Sequence, residues 1–333
     1  MKCLSSVLPF PTAVRPFLCL TCWAGLLIGL LLAGTAPTQA QRAPDRPETV
    51  FAEALRLYNT RHYARAAQSF ATYRQAHPND VNAAETYYYE AQSRLALGQQ
   101  DEAARLLRAL QREYTAHPMA QQAQLSLGQY FYEQGDYSRA RQTLERLVTQ
   151  HRDAAETPRA LYQIGMIERQ QGNDGAALAY FRRVVDDHPE AAIAPDAQYA
   201  VGTTLVRMEQ YGRAARAFET LGDQFPNSPY ADQIGLALAD VYFELGQYQQ
   251  VINEVARRQS SLDESAQVRA TFLLAEAHNQ LRNSEDAILN YRRLIEEYPN
   301  SPYYRPALYG LAWNYYRERT YQWAADRFAR VHD

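Results

Sequence analysis

Cysteine disappears from this 333-residue sequence after Cys22, and lysine after Lys2. With Cys3, Cys19 and Cys22 as the whole supply, everything downstream lacks a disulfide framework, a thiol nucleophile and a cysteine-bearing zinc site. The spacings that cradle phosphates or build common hydrolase centres are missing too: there is no GxxxxGK, GxGxxG, HExxH or GxSxG. Nor is positive charge in excess. Beyond residue 40 stand 32 basic side chains, all arginine, against 37 acidic ones, a balance of about −5. That is the opposite of the clustered basic face a nucleic acid asks for. The exclusive use of arginine reads as compositional bias, because its spacing builds no anion-binding cluster.

Acid is absent from Met1 to Ala40. There Lys2 and Arg15 precede an apolar run from Phe17 to Gly34, and Thr38 and Ala40 offer small residues ahead of a cut after Ala40. Residues 1–40 therefore read as a cleaved secretory signal and 41–47 as a linker. The alternative is a retained anchor, since 18 largely apolar residues could just span a bilayer. Lipid attachment at Cys22 is disfavoured, because most of the apolar run follows that cysteine instead of preceding it. With the signal removed, no integral membrane span is expected.

What the remainder has in abundance is repetition. The stretch "FPNSPYADQIGLALADVYFELGQY" (225–248) returns 73 residues later as "YPNSPYYRPALYGLAWNYYRERTY" (298–321). The underlying unit is half that distance. A small residue that follows a turn, with a bulky residue four places on, occurs at Ala66, Ala103, Ala140, Ala177, Ala214, Val251, Ala287 and Ala324, in steps of 37 with one of 36. Four places later stand Phe70, Leu107, Leu144, Phe181, Phe218, Val255, Tyr291 and Phe328. Twelve places earlier every residue is small, from Ala54 through Gly128, Gly165 and Gly202 to Ala312. Apolar residues at i, i+3/i+4 and i+7 make each half of the unit an amphipathic helix. Gly98, Gly135, Gly172 and Gly246 fall between the halves, where a tight turn needs a positive φ. Ser228-Pro229 and Ser301-Pro302 are expected to cap the following helices. One hairpin cannot bury its apolar face alone, so the spacing predicts eight stacked hairpins, all-α, over residues 48–333.

The pattern small-x11-small-x3-aromatic, with Tyr three before the second small residue and Pro twelve after it, resembles the tetratricopeptide repeat. "LGQYFYEQGDYSRARQTLERL" (127–147) matches that consensus closely. The 37-residue period and the "FPNSPY" joints are similar to the repeats of Gram-negative envelope proteins. Among these are the lipoprotein of the outer-membrane barrel-assembly machinery and the Tol-Pal-associated cell-division coordinator. The resemblance implies a right-handed solenoid, a concave face lined by the first helix of each hairpin, and a protein partner. It also implies groove positions here: Tyr88, Gln92, Gln129, Tyr132, Tyr162, Arg169, Tyr199, Thr203, Arg207, Asp240, Phe243 and Phe272. Aromatic walls with scattered amide and guanidinium donors suit an extended peptide or a partner helix. Among these, Tyr162, Arg169, Tyr199 and Arg207 are the expected hot spot. The paired Lys and Asn clamp for C-terminal carboxylates is absent.

Histidines and carboxylates add no chemistry. His77, His151 and His188 share one repeat position with Phe225 and Tyr298, and an exchange of His for Phe and Tyr marks packing at a joint. His117, in a second "AHP", reads the same way, and His278 stands alone. The runs "VVDD" (184–187) and "LIEEYPN" (294–300) sit at helix ends as solvated charge. No catalytic residue, metal or cofactor is expected. The reading is an exported, non-enzymatic scaffold that holds another envelope protein in its groove, in the periplasm or envelope. Two rivals stand beside it. One is the helical superstructure of a larger cell-wall enzyme resembling lytic transglycosylases, with its catalytic domain beyond Asp333. The other is a module that self-associates through repeat eight, whose end carries no polar capping helix.

Overall fold

The structure, a computed structural model, describes residues 46–258 and 262–332. The expected signal and most of the linker lie outside them. From Arg46 onward the described residues form one compact unit of sixteen helices and no strands. They pair in order as α1 (Pro47–Asn59) with α2 (Tyr63–Ala76), α3 (Ala83–Ala96) with α4 (Gln100–Glu113), and α5 (Pro118–Glu133) with α6 (Tyr137–Gln150). Next come α7 (Thr157–Gln170) with α8 (Asp174–Asp187), and α9 (Ala194–Arg207) with α10 (Tyr211–Gln224). The last three pairs are α11 (Ala231–Glu244) with α12 (Tyr248–Arg258), α13 (Glu264–Gln280) with α14 (Ser284–Glu297), and α15 (Tyr304–Arg317) with α16 (Tyr321–His332). The eight hairpins expected from the period are all present.

Each hairpin closes where its two small residues meet. The anchors from Ala66 to Ala287 are fully buried, and so are the bulky residues Phe70, Leu107, Leu144, Phe181 and Tyr291. The glycines twelve before the anchor mark the closest approach. A Cβ on Gly128 would lie 2.4 Å from Leu144, one on Gly165 2.6 Å from Phe181, and one on Gly202 2.4 Å from Phe218. The small residue and the bulky residue sixteen later are thus the two halves of one contact, which explains why both columns run through the sequence. Between the helices the chain takes a left-handed residue: Gly98, Gly135, Gly172 and Gly246 at φ of 71–81°, and Arg61, Glu209, Arg282 and Arg319 at 57–61°. The turn geometry is therefore common to all eight units, including the four that lack glycine.

Each second helix from α2 to α14 packs on the first helix before it and the first helix after it. Successive first helices also touch one another, as in α3–α5, α5–α7, α11–α13 and α13–α15, whereas second helices do not pair in this way. The first helices therefore crowd the inside of the curve and form its concave face.

The serines of the "PNSPY" joints do not cap helices. Ser228 and Ser301 lie inside consecutive turns, their N–H groups donating to the carbonyls of Phe225 and Tyr298, and α11 and α15 begin three residues later. Both serine Oγ atoms are buried without a partner. The joint's purpose lies in its last residue. Tyr230 reaches back to stack on Tyr199 at 4.3 Å, with 12° between the rings, and Tyr303 stacks on Phe272 at 4.7 Å and 25°. His117 also departs from expectation. Tyr114 occupies the joint position of that unit, and His117 instead caps α5, its Nδ1 accepting the N–H of Met119 at 3.2 Å. Hairpins six and seven depart from the usual helix lengths: α12 has 11 residues and α13 has 17, capped at its start by Asp263, whose carboxylate accepts the N–H of Ala266 at 2.8 Å.

Candidate functional site

All twelve groove residues lie on first helices, α3 through α13. Their aromatic members are half-buried, because each fills space within its hairpin and against a neighbour. Tyr132 sits 5.5 Å from Tyr137, Tyr162 5.5 Å from Phe181, and Phe243 5.5 Å from Tyr248. Tyr88 packs against Tyr89 at 5.6 Å. Burial pushes the hydroxyls of both Tyr88 and Tyr162 above the usual phenol range.

The polar members are engaged with side chains of neighbouring units, several at a spacing absent from the repeat itself. Gln92 donates to Ser126 Oγ at 3.2 Å, Gln163 to Gln129 Oε1 at 2.9 Å, and Arg169 to Thr203 Oγ1 at 3.3 Å. Each pair is 34 residues apart, three short of the period. Three residues are nearly one helical turn, so neighbouring first helices are staggered by a turn and stitch diagonally. The same diagonal carries Tyr230, whose hydroxyl donates to Asp196 at 2.8 Å. Asp240 pairs with Arg269 at 2.8 Å, yet its carboxyl is held above the usual carboxylate range because burial outweighs the guanidinium. Arg207 spends its charge on Asp174 at 3.1 Å. Arg169 touches Met166 Sδ at 3.1 Å and lies 5.7 Å from the centre of the Phe181 ring, and it has no ion pair among the described residues.

One part of the groove remains open. A pocket of about 230 Å³ lies between α5 and α7, walled by Tyr132, Tyr162, Met166 and Ile193. Gln129 and Gln163 line its polar edge, and Arg159 is the one charge on its wall. Arg159 is exposed and has no ion pair among the described residues. Of these seven, Gln129, Tyr132 and Tyr162 were expected from the repeat columns. Arg159, Gln163, Met166 and Ile193 were not, because those columns assume a stagger of 37. Counting 34 forward from Gln129 reaches Gln163, and 31 forward from Tyr162 reaches Ile193, the joint position that Tyr230 holds over Tyr199.

A second opening lies between α11 and α13. Leu236 is the counterpart of Tyr199 in hairpin six, and the residue 31 later is Gln267, which bonds to the Leu262 carbonyl at 2.8 Å. With no aromatic over it, Leu236 lines a cleft of about 780 Å³ with Val268, Arg269 and Tyr303. The described residues hold no cluster of three His, Cys, Asp or Glu side chains fit for a metal, and no helix among them is long and apolar enough to cross a membrane.

Comparison with known proteins agrees with this geometry. A tetratricopeptide-repeat model matches residues 88–155 and again 127–192, and the model of an outer membrane lipoprotein family matches residues 191–331. None of the curated proteins matches the chain. Among solved structures, the C-terminal part of a TPR repeat-containing protein from Cytophaga hutchinsonii superposes with a TM-score of 0.62 at 18% identity. That match covers 78% of this chain and 99% of the other. PilW, described as a widely conserved type IV pilus biogenesis factor, gives a TM-score of 0.52 at 16% identity over 68% of this chain and 98% of its own. At such identities the structures speak for the fold alone, and the two family models together run through hairpins two to eight. With its eight hairpins, its 37-residue register and those matches, the chain belongs to the tetratricopeptide-repeat family, whose repeats are protein-interaction scaffolds.

Proposed function

We propose that this protein is an exported, non-catalytic scaffold of the bacterial envelope that holds a segment of another protein along its first-helix groove. The observation that carries the reading is the pocket between α5 and α7, where Tyr132, Tyr162 and Met166 offer an apolar wall beside two amides and an unpaired guanidinium. Such a wall seats one side chain, and the amides orient the backbone that bears it. Tyr162, Arg159 and Arg169 are the groups with free surface and charge. Tyr199 and Arg207 belong more to the frame, because Tyr230 covers one and Asp174 neutralises the other. Export is supported by the composition of residues 1–40, and an envelope setting by the outer membrane lipoprotein match over 191–331.

The test is photo-crosslinking in producing cells, with a benzophenone amino acid at Gln163 in the groove or at Arg182 on the outer surface of α8. A defined adduct is expected from Gln163 and none from Arg182. It should disappear when Tyr162→Ala and Arg159→Glu are combined, with helicity unchanged by circular dichroism. Adducts from Arg182 alone, or equal adducts from both positions, would reject a groove site.

A further inference from the structure

The face that α7 turns toward the groove carries an arginine at each end. Arg159, Tyr162, Met166 and Arg169 follow at steps of three, four and three, and so lie along one side of the helix. The two arginines are about 15 Å apart along the axis. Tyr162 and Met166, between them, wall the pocket of about 230 Å³. Burial raises the hydroxyls of Tyr88 and Tyr162; Arg159 offsets part of the first shift, and Arg169 part of the second, to which Asp196 adds. Both guanidiniums therefore act inside the groove.

Their charge is unspent, while that of their surroundings is settled. Helices α5, α7 and α9 hold one carboxylate each. Glu133 accepts the amide of Gln129 at 2.8 Å, and Asp196 the hydroxyl of Tyr230 at 2.8 Å. Glu168 is buried between Arg141 at 2.9 Å and Asn173 at 2.9 Å. Of the three arginines on these helices, Arg207 is paired with Asp174. Arg159 and Arg169 alone have no ion pair among the described residues. In a chain of about −5 beyond residue 40, two open positive charges flanking an apolar pocket select for carboxylates at that place.

A third feature concerns the backbone of the bound segment. Gln163 donates to Gln129, but its own Oε1 is buried with no donor among the described residues. An acceptor left unpaired in this way is costly. A helical ligand has spent its N–H groups internally, whereas an extended one still has them to give. In an extended strand, alternate residues line one side, and three of them in succession span about 13 Å. That length matches the distance between the two arginines, with the pocket in the middle.

We propose that the segment held in the groove is an extended acidic strand of a partner protein, with a carboxylate two places to either side of an aromatic residue. This rests on the groove site and adds the chemistry of its occupant. The ring fills the pocket against Tyr132, Tyr162 and the Met166 thioether. The two carboxylates take Arg159 and Arg169 in charge-assisted hydrogen bonds, and a backbone N–H meets Gln163.

The experiment titrates the full chain with short synthetic peptides, read by fluorescence anisotropy. Each carries one phenylalanine flanked two places away on both sides by aspartate, asparagine or lysine. The aspartate peptide should bind about tenfold more tightly than the asparagine peptide, and should lose that margin in about 1 M salt. Arg159→Glu with Arg169→Glu, helicity retained, should turn the preference to lysine, and Arg182→Glu on the outer surface should leave it unchanged. Equal binding of the three peptides, binding of none, or a preference that the double reversal does not move overturns the proposal. So does tighter binding of a helical peptide bearing the same side chains on one face. A defined adduct from Gln163 beside any of these failures keeps the groove site and discards only the acidic strand. No adduct and no binding discard both.

Discussion

Hairpins five and eight are built from the same columns and meet opposite fates. In hairpin five, Tyr199 lies under Tyr230 of the next joint, and Phe218 is buried against the backbone of Gly202. In hairpin eight the equivalent Tyr309 is half open to solvent and the equivalent Phe328 is only partly covered. Neither difference is written in the unit itself. In a solenoid the burial of a residue is decided by the following repeat as much as by its own. A single column therefore serves as frame in the middle of the array and as surface at the end.

Breaking the frame should cost most at its closest contacts. Gly202→Leu drives a branched side chain into Phe218 and is expected to destabilise by about 3 kcal/mol or more, read by urea unfolding. Comparable in size is the loss of Glu90, buried on α3 between Arg74 at 2.6 Å and Arg94 at 2.7 Å. Glu90→Ala leaves two guanidiniums facing each other across the first boundary and should cost about 3 kcal/mol. The joint comes next. Tyr230→Ala removes the stack on Tyr199 and the bond to Asp196 and should cost about 2 kcal/mol, whereas Tyr309→Ala should cost less than about 0.5 kcal/mol. Equal losses at the two tyrosines would contradict the comparison between hairpins five and eight.

A pH titration sharpens the same contrast. Burial, followed by a carboxylate partner, raises the hydroxyls of Tyr87, Tyr230, Tyr242 and Tyr291, Tyr87 to about 12 with Glu113 as its partner. A group held protonated in the fold adds stability below its unfolded pKa, near 10 for tyrosine, and loses it as pH rises through the folded value. Stability should therefore fall steadily from pH 10 through about 12, with tyrosinate absorbance rising together with loss of helicity. The smallest effect is at the turns. Glu209→Gly relieves a left-handed residue and should stabilise by up to about 1 kcal/mol, while Gly172→Ala should destabilise by a similar amount. Opposite shifts in melting temperature would show that the turn geometry is common to both.

The hairpins were legible because their determinants are local and repeated. Helical periodicity, a left-handed turn, and a small residue matched to a bulky one sixteen later all lie within one unit. The joints were harder to read. Ser228 and Ser301 have the composition of helix caps, yet the chain continues in turns past them so that Tyr230 and Tyr303 can reach the preceding unit. His117 copies the "AHP" of an earlier joint, but α5 starts at the following proline and turns the imidazole into a cap. In the groove, Gln129 and Tyr162 could be named from the repeat columns, while Gln163 and Ile193 could not. The packing stagger of neighbouring helices adds an offset that no single repeat contains.

The sequence by itself determined the all-α class, the number of units, the register of the helices and the residues that close each hairpin, since all of these follow from contacts inside a 37-residue period. Tertiary structure decided which groove residues pair off, where a pocket stays open, and which aromatics are covered. Those outcomes depend on how one unit lies against the next, and a stagger of three residues, about one helical turn, is enough to reassign every partner.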